Sequence, residues 1–348
     1  MAAVDLEFID TSTERGPMAP ERLVAVSYPV DGELTAVNTD VLGDSATVRF
    51  LAGLDEAAQR AALGQASALI GWQLTRELPP GGLASAPGLS LIQLLSAGLD
   101  GVDFAAIPDH ITVAGNVGAY ADPIAEHVMA MTLSLAKHLQ IEHAALARGQ
   151  FDRPAESSTL HGAVCAILGF GGIGQATARL MRPFGARIHA VNSSGRTAEP
   201  VDWAGTLADL DQVLAAADVL VISLPLTTGT RGLIGARELA LMKPDAILVN
   251  VARGAIVDEQ ALYAHLAAHP RFSAGLDAWW DEPRGGAAFH TNYPFFDLPN
   301  VLGSPHNSGD VPGIEEFAAR RAAENVHRFL RGEPVTGVAR RGDYAGFR

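Results

Sequence analysis

Between Arg22 and Val113 the chain alternates short apolar runs with longer Ala-rich segments of helical spacing. The runs "LVAVSY", "ATVRFLAG", "SALIGW", "LSLIQLLSAG" and "ITVAG" have the apolar, β-branched character of strands, and segments such as "LDEAAQRAALGQ" separate them. This βα alternation predicts a small parallel sheet. The first twenty or so residues, ending in "RGPMAPER", are polar and dotted with Gly and Pro, and they are assigned no element.

From Pro123 to Arg148 the run "PIAEHVMAMTLSLAKHLQIEHAALAR" lacks internal Gly or Pro, opens with Pro in the first turn and stops before Gly149, which predicts one long helix. Past the polar link "RPAESSTLHG" a second βα series begins. Its strands are "AVCAILGF", "ARIHAV", "DVLVISL", "AILVNV", "FSAGLDAW" and "NVLGSP", and its helices include "IGQATARLMRPF", "LADLDQVLAAA", "ARELALM" and "DEQALYAHLAAH". Strands that are apolar on both faces predict a doubly wound parallel sheet covered by helices on both sides, and six of them make a complete dinucleotide-binding unit. A last helix, "PGIEEFAARRAAENVHRFLRG", is compatible with packing on either unit, and "EPVTGVARRGDYAGFR" reads as a polar tail.

At 348 residues with 48% hydrophobic content, the chain is long enough for two cores. A net charge of −14 and a pI near 5.2 argue against nucleic acid or an anionic membrane as partner. No apolar run would span a bilayer, and "MAAVDLEFIDTSTERG" lacks a basic-then-apolar leader pattern, so a cytoplasmic protein is expected. Cys165, the single cysteine, lies inside a strand and reads as a small buried hydrophobe; no intramolecular disulfide is available to it. The histidines are scattered without paired spacing, so no metal site is expected.

Candidate chemistry begins at "ILGFGGIGQATARL", where Gly169, Gly171 and Gly174 take G-x-G-x-x-G spacing between a strand and a helix. That context suits a pyrophosphate: a tight turn, close backbone approach, close helix packing and a helix N-terminus facing the anion. Ligands of open α/β sheets bind beyond the carboxyl ends of the strands. Three polar residues follow strand ends there: Arg253 in "NVARGAIVD", Glu282 in "WWDEP" and His306 in "GSPHNSG". Arginine binds a carboxylate bidentately and polarises the neighbouring carbonyl, histidine exchanges a proton with the oxygen, and glutamate favours the charged imidazole. The set suits reduction of a 2-oxo acid by hydride. Taken singly, each residue also reads as a strand-end arginine, a turn carboxylate or a loop histidine.

These motifs, in order with "LPLTTGTRGLIGARELALMKPDAILVNVARGAIVDEQAL", "LIQLLSAGLDGVD" and "NVGAYADPIAEHVM", give a chain that resembles the D-isomer-specific 2-hydroxyacid dehydrogenases from about Leu69 to Asn325. The N-terminal third matches only in pattern. The resemblance implies two Rossmann-like doubly wound domains with the active site in the cleft between them: a discontinuous substrate domain, 1–118 plus 311–348, and a dinucleotide domain, 119–310. It implies catalysis by Arg253, Glu282 and His306, and substrate carboxylate binding at Ser96, Ala97 and Gly98 together with Arg253. Cofactor contacts follow at Gly172, Ile173, Pro225 and Ala252, with Asp277 holding the nicotinamide carboxamide. His127 in "AEH" matches a family motif and reads as structural, near the hinge. A small-molecule 2-oxo or 2-hydroxy acid substrate and a homodimer are expected. The formate-oxidising branch carries glutamine where this chain has Glu282. The link "PRGGAAFHTNYPFFDLPNVLGSP" is longer and more aromatic than the family's, and reads either as a loop anchored by core aromatics or as a pocket wall or dimer contact.

The same fold also serves dinucleotide-sensing transcriptional corepressors that keep the trio, a competing reading; this chain lacks a long disordered tail. Asn192 stands 23 residues after Gly169, where NAD-binding proteins carry an acid for the ribose hydroxyls. In its place come Asn192, Ser193 and Ser194, then Arg196, with no carboxylate before Glu199. Hydroxyls and a guanidinium suit a 2′-phosphate, which predicts NADP over NAD, the alternative being a neutral turn that tolerates both.

Overall fold

A computed structural model of the chain describes residues 22–151, 157–283 and 286–345. The N-terminal arm and part of the polar link at 153–162 lie outside them. The first series folds as β1 (Leu23–Val26), α1 (Gly32–Leu42), β2 (Thr47–Phe50), α2 (Glu56–Gln65), β3 (Ala66–Gly71), the single-turn α3 (Leu74–Glu77), β4 (Leu91–Leu94) and β5 (Thr112–Ala114). All its strand pairs are parallel, in the order β2-β1-β3-β4-β5. Asp31 and Asp55 start α1 and α2 by accepting the Leu34 and Ala58 N–H groups, which the bare helix ends leave without partners.

The chain then crosses to α4 (Ala121–Ala136) and α5 (Leu139–Ala147). One long helix was expected here, and the structure breaks it. Lys137 ends α4, His138 turns left-handed at φ 53°, and the Ser158 N–H and Lys137 Nζ tie the Ala136 and Ser158 carbonyls. The break follows from packing, since α4 buries Val128, Met131 and Leu135 whereas α5 buries no residue. No Gly or Pro marks it in the sequence.

The second series runs β6 (Val164–Leu168), α6 (Gly172–Met181), β7 (Arg187–Val191), β8 (Trp203–Gly205), α7 (Leu210–Ala216), β9 (Val219–Ile222), α8 (Ala236–Leu241), β10 (Ile247–Asn250), α9 (Glu259–Ala268), β11 (Ser273–Leu276) and β12 (Val301–Gly303). The order is β12-β11-β10-β9-β6-β7-β8, again parallel throughout. The strand order reverses between β6 and β9, the place where such sheets open a ligand crevice. The sheet thus has one strand more than the six expected: β8 is a three-residue edge strand, too short for a readable alternation.

The last helix, α10 (Ile314–Leu330), settles on the first sheet. Ala319, Ala322, Ala323, Val326 and Leu330 pack with Val24, Val26, Ala68 and Ile70, small residues allowing close approach. The chain therefore passes between the two sheets twice, near 116–120 and 304–313, and Asn116 Nδ2 donates to the Ala318 carbonyl where the crossings meet. The segment after α10, expected to be a polar tail, instead pairs with β5: Val338 bridges Ala114 in antiparallel sense. Among the described residues, no helix is long and apolar enough to cross a membrane, and no group of three or more metal-binding side chains is assembled.

Candidate active site

The glycine turn lies at the reversal between β6 and β9. The N–H groups of Gly169 and Phe170 donate to the Val191 carbonyl at the end of β7, while Ser223 Oγ, past β9, donates to the Gly169 carbonyl at 2.7 Å. Gly169 has φ 97°, and a Cβ there would stand 2.6 Å from the Leu224 nitrogen, so only glycine fits. A Cβ on Gly174 would run into the Gly169 carbonyl, whereas one on Gly171 would point into open space. That pattern, two glycines forced by packing and one facing a gap at a helix N-terminus, fits a pyrophosphate cradle. A Cβ on Gly172 would stand 2.7 Å from the Gly118 Cα of the first crossing, and Ile173 packs with Ala121 and Ala125; both residues are half-buried.

Turns past three neighbouring strands bring the catalytic candidates together. Asn250, the last residue of β10, accepts the Ala252 N–H and donates to the Arg253 carbonyl, which curls the backbone just before Arg253 enters its turn. A Cβ on Gly254 would stand 2.6 Å from the Trp280 nitrogen, so this turn packs directly on the one that carries Glu282. Glu282 accepts the Trp279 N–H at 3.0 Å, and His306 Nδ1 lies 2.7 and 2.8 Å from the two Glu282 carboxylate oxygens. Hydrogen bonding to Glu282 raises the His306 pKa above 6.5, against burial and the Arg253 charge. Burial pushes Glu282 upward, but the bonds from His306 and the Trp279 N–H outweigh it and hold the carboxylate below its ordinary range. The charged imidazole is therefore favoured, with Nδ1 engaged by Glu282, which leaves Nε2 as the nitrogen that can exchange a proton.

His306 itself adopts φ 54°, rare for a residue with a Cβ. Asp277, fully buried past β11, holds that loop in place: its Oδ1 accepts the Ser304 hydroxyl at 2.6 Å and the Asn307 N–H at 3.1 Å, and its Oδ2 accepts the Ser308 N–H at 3.2 Å. Burial raises its pKa, but these bonds outweigh that and keep it ionised. His127, on α4, reaches the same network, with Nε2 2.8 Å from Ser304 Oγ.

Arg253 reaches across to the first sheet. Its Nε donates to both oxygens of Asp100 at 3.1 and 3.0 Å, its Nη1 to the Ala252 carbonyl, and its Nη2 lies against Gly98. Asp100 follows the loop of Ser96, Ala97 and Gly98 past β4; the Ser96 hydroxyl donates to the Gly98 carbonyl, and among the described residues the N–H groups of these three donate to no internal acceptor. The sequence reading missed Asp100. The only signal was its place two residues past Gly98 in "SAGLDGVD".

At the other end of the crevice the Asn192 side chain closes on its own loop. Its Oδ1 accepts the Ser194 and Gly195 N–H groups and the Ser194 hydroxyl, and its Nδ2 donates to the Arg196 carbonyl. Ser193 and Arg196 are exposed, and Glu199 pairs with Arg179 and Arg182. Of the remaining candidates, the Pro225 carbonyl accepts the Thr230 hydroxyl at 2.7 Å. The Cys165 thiol is buried in β6 and pushed far above its ordinary pKa. In the long link Phe295 is buried, Trp280 stacks on it at 5.4 Å, and Tyr293 stacks on Tyr263 of α9, so core aromatics anchor this segment; Phe289 and Phe296 remain exposed beside Trp279.

Comparison with known proteins agrees with the two-sheet α/β fold. The chain is 33% identical over 296 residues to D-3-phosphoglycerate dehydrogenase of Mycobacterium bovis, covering 84% of this chain and 55% of that protein. It thus spans about half the length of the curated relatives of that kind. Glyoxylate reductase of Thermococcus gammatolerans is 32% identical over 258 residues, covering 72% of this chain and 75% of the relative. The crystal structure of a D-isomer specific 2-hydroxyacid dehydrogenase from Xanthobacter autotrophicus Py2, in complex with NADPH and MES, superposes with a TM-score of 0.74 at 26% identity and covers 92% of this chain and 99% of that one. Residues 129–308 match the family description "D-isomer specific 2-hydroxyacid dehydrogenase, NAD binding domain". A glycine turn at the strand-order reversal, a carboxylate–imidazole pair and an arginine spanning the two sheets thus sit in a chain that belongs to the D-isomer specific 2-hydroxyacid dehydrogenase family.

Proposed function

We propose that the protein is an NAD(P)-dependent 2-oxo acid reductase that runs reversibly as a D-2-hydroxyacid dehydrogenase. The observation that carries this reading is the His306–Glu282 pair, an imidazole hydrogen-bonded to a carboxylate at the carboxyl edge of the second sheet, with Arg253 on the adjoining turn. A nicotinamide dinucleotide, when bound along Gly169–Gly174, supplies the hydride. The chain's own residues do the rest. Arg253 Nη2 and the N–H groups of Ser96, Ala97 and Gly98 hold the substrate carboxylate, which fixes the carbonyl carbon beside the donor. His306 Nε2 gives its proton to the carbonyl oxygen as negative charge develops there, and Glu282 compensates the imidazolium before transfer. Oxidation reverses each step. Pro225 and Ala252 are assigned to the cofactor surface, and Asp277, buried with both oxygens engaged, to the ordering of the His306 loop rather than to the nicotinamide carboxamide. The lobes are 1–118 with 311–348, and 119–310.

For the adenosine end we infer NADP over NAD, supported by the exposed Ser193 and Arg196 beside a loop that Asn192 and Ser194 shape internally. We further infer a cytoplasmic homodimer, with exposed Leu139, Leu146 and Phe151 as the apolar surface available to it. The test is a panel of 2-oxo acids with NADPH and NADH, followed by nicotinamide absorbance. Turnover on at least one acid, with higher kcat/KM for NADPH, is the expected outcome. Tight dinucleotide binding without turnover on any acid would favour a dinucleotide-sensing binding protein on the same fold.

A further inference from the structure

The segment after α10 is built into the molecule at every step. Asn325 accepts the Thr336 N–H at 2.9 Å and donates to its carbonyl, and the Gly337 carbonyl accepts the Gly115 N–H. Val338 and Ala339 then run antiparallel to β5. Arg341 donates to four backbone carbonyls, those of Phe104, Ile107, Pro108 and Ile111, at 2.7 to 3.3 Å. Five donors in a rigid fork make this an anchor that lysine would not reproduce.

Two contacts follow that a mere terminus does not need. The Tyr344 ring is only 8% exposed; it stacks on Phe104 at 5.1 Å and joins the core cluster of Leu99 and Val102, which flank Asp100. The Asp343 carbonyl accepts the Thr228 N–H at 2.9 Å, and Thr228 lies past β9 on the loop that begins at Pro225. One short turn therefore touches the loop that presents Gly98 and Asp100 and also the loop that belongs to the second sheet. It joins the two halves, as do the crossings near 116–120 and 304–313 and the Arg253–Asp100 pair. Arg253 needs such a connection: its base is on the second sheet, its partner Asp100 on the first, and any separation of the sheets would break the pair.

We propose that the C-terminal strap, residues 337–344, is a working part of the substrate end of the cleft, and that Tyr344 is a positioning residue for the Asp100–Arg253 pair. The Tyr344 ring stacks on Phe104, four residues past Asp100, and the Asp343 carbonyl fastens the strap to the second sheet at Thr228. Electrostatics agrees with the placement: burial raises the Tyr344 pKa, the charges of Asp100 and Asp343 raise it further, and Arg253 opposes them. The proposal rests on the reading of Arg253 as the group that holds the substrate carboxylate.

The test uses the 348-residue chain, Tyr344→Ala, Tyr344→Phe, Thr228→Pro and a chain ending at Arg340. Thr228 is the second residue of a turn closed by the Thr230 N–H on the Thr227 carbonyl, a position that accepts proline, so Thr228→Pro removes the tethering donor and keeps the turn. Tyr344→Ala, Thr228→Pro and the shortened chain should raise KM for the 2-oxo acid about tenfold while leaving the dinucleotide Kd, read by NADPH fluorescence, within about twofold; Tyr344→Phe should restore the wild-type KM. An unchanged oxo-acid KM in folded Tyr344→Ala and Thr228→Pro, or equal losses in oxo-acid KM and dinucleotide affinity, overturns the proposal. If Tyr344→Ala does not fold, Thr228→Pro decides. A wild-type protein that reduces no 2-oxo acid overturns the parent reading instead; activity with unaffected variants overturns the strap alone.

Discussion

The two ends of the crevice on the second sheet are held in opposite ways. At the His306 end each side chain depends on partners far away in sequence: Asp277 orders the loop at Ser304–Ser308, Glu282 holds His306, and Arg253 is set by Asp100 from the other sheet. At the Asn192 end the side-chain hydrogen bonds of the loop close within five residues, and the Ser193 and Arg196 side chains face water. Geometry that must be accurate for proton and hydride transfer is fixed by a buried network, whereas selectivity for one phosphate needs only charge near an open edge. The consequence is a gradient of sensitivity, steep at one end and shallow at the other.

The steepest expected effect is at His306. His306→Asn keeps a hydrogen bond to Glu282 but cannot donate the proton, so kcat should fall about 10³-fold while NADPH affinity is retained; wild-type turnover in this variant would remove the mechanism. Asp277→Asn comes next. Its amide replaces one acceptor with a donor beside the Ser308 or Asn307 N–H, a buried mismatch of about 1–3 kcal/mol, and loosening the His306 loop should lower kcat about tenfold.

Glu282→Gln tests the pair by its pH dependence. Reduction needs charged His306, so the wild-type rate should fall as pH rises through the raised His306 pKa, and Glu282→Gln should move that fall to lower pH. For His306 the stability linkage has the same sign, and for Glu282 the opposite one. The raised His306 pKa contributes stability that is fully present below 6.5 and lost as pH rises through the folded value; the lowered Glu282 pKa contributes stability present above 4.5 and lost as pH falls through its folded value. A pH–rate profile that does not move would detach Glu282 from His306. The smallest effect belongs to the open end: Arg196→Ala should reduce the NADPH-to-NADH preference about tenfold, roughly 1.4 kcal/mol, and leave kcat with saturating NADPH near wild type. A kcat loss there as large as at Asp277 would erase the contrast between the two ends.

Much of this is legible in the sequence. Strands such as "AVCAILGF" and "DVLVISL" are apolar on both faces because helices cover both sides, and Gly169 and Gly174 sit where a side chain would collide with backbone. The residues that escaped are those whose signal is not local. β8 has three residues, the break at His138 carries no Gly or Pro, and Asp100 differs from other loop aspartates only in what lies opposite it. The same holds for Tyr344, one aromatic in a stretch that reads as tail.

The sequence by itself determined the two parallel βα series, the glycine turn and the order of Arg253, Glu282 and His306 past successive strand ends, because periodicity and turn chemistry act over a few residues. Only the tertiary structure decided that α10 returns to the first sheet, that Asp277 and Asp100 set His306 and Arg253, and that residues 337–344 tie the two halves together. Those contacts join residues from 27 to more than 230 positions apart. Their strength comes from burial and from hydrogen bonds completed across elements, which no local pattern encodes.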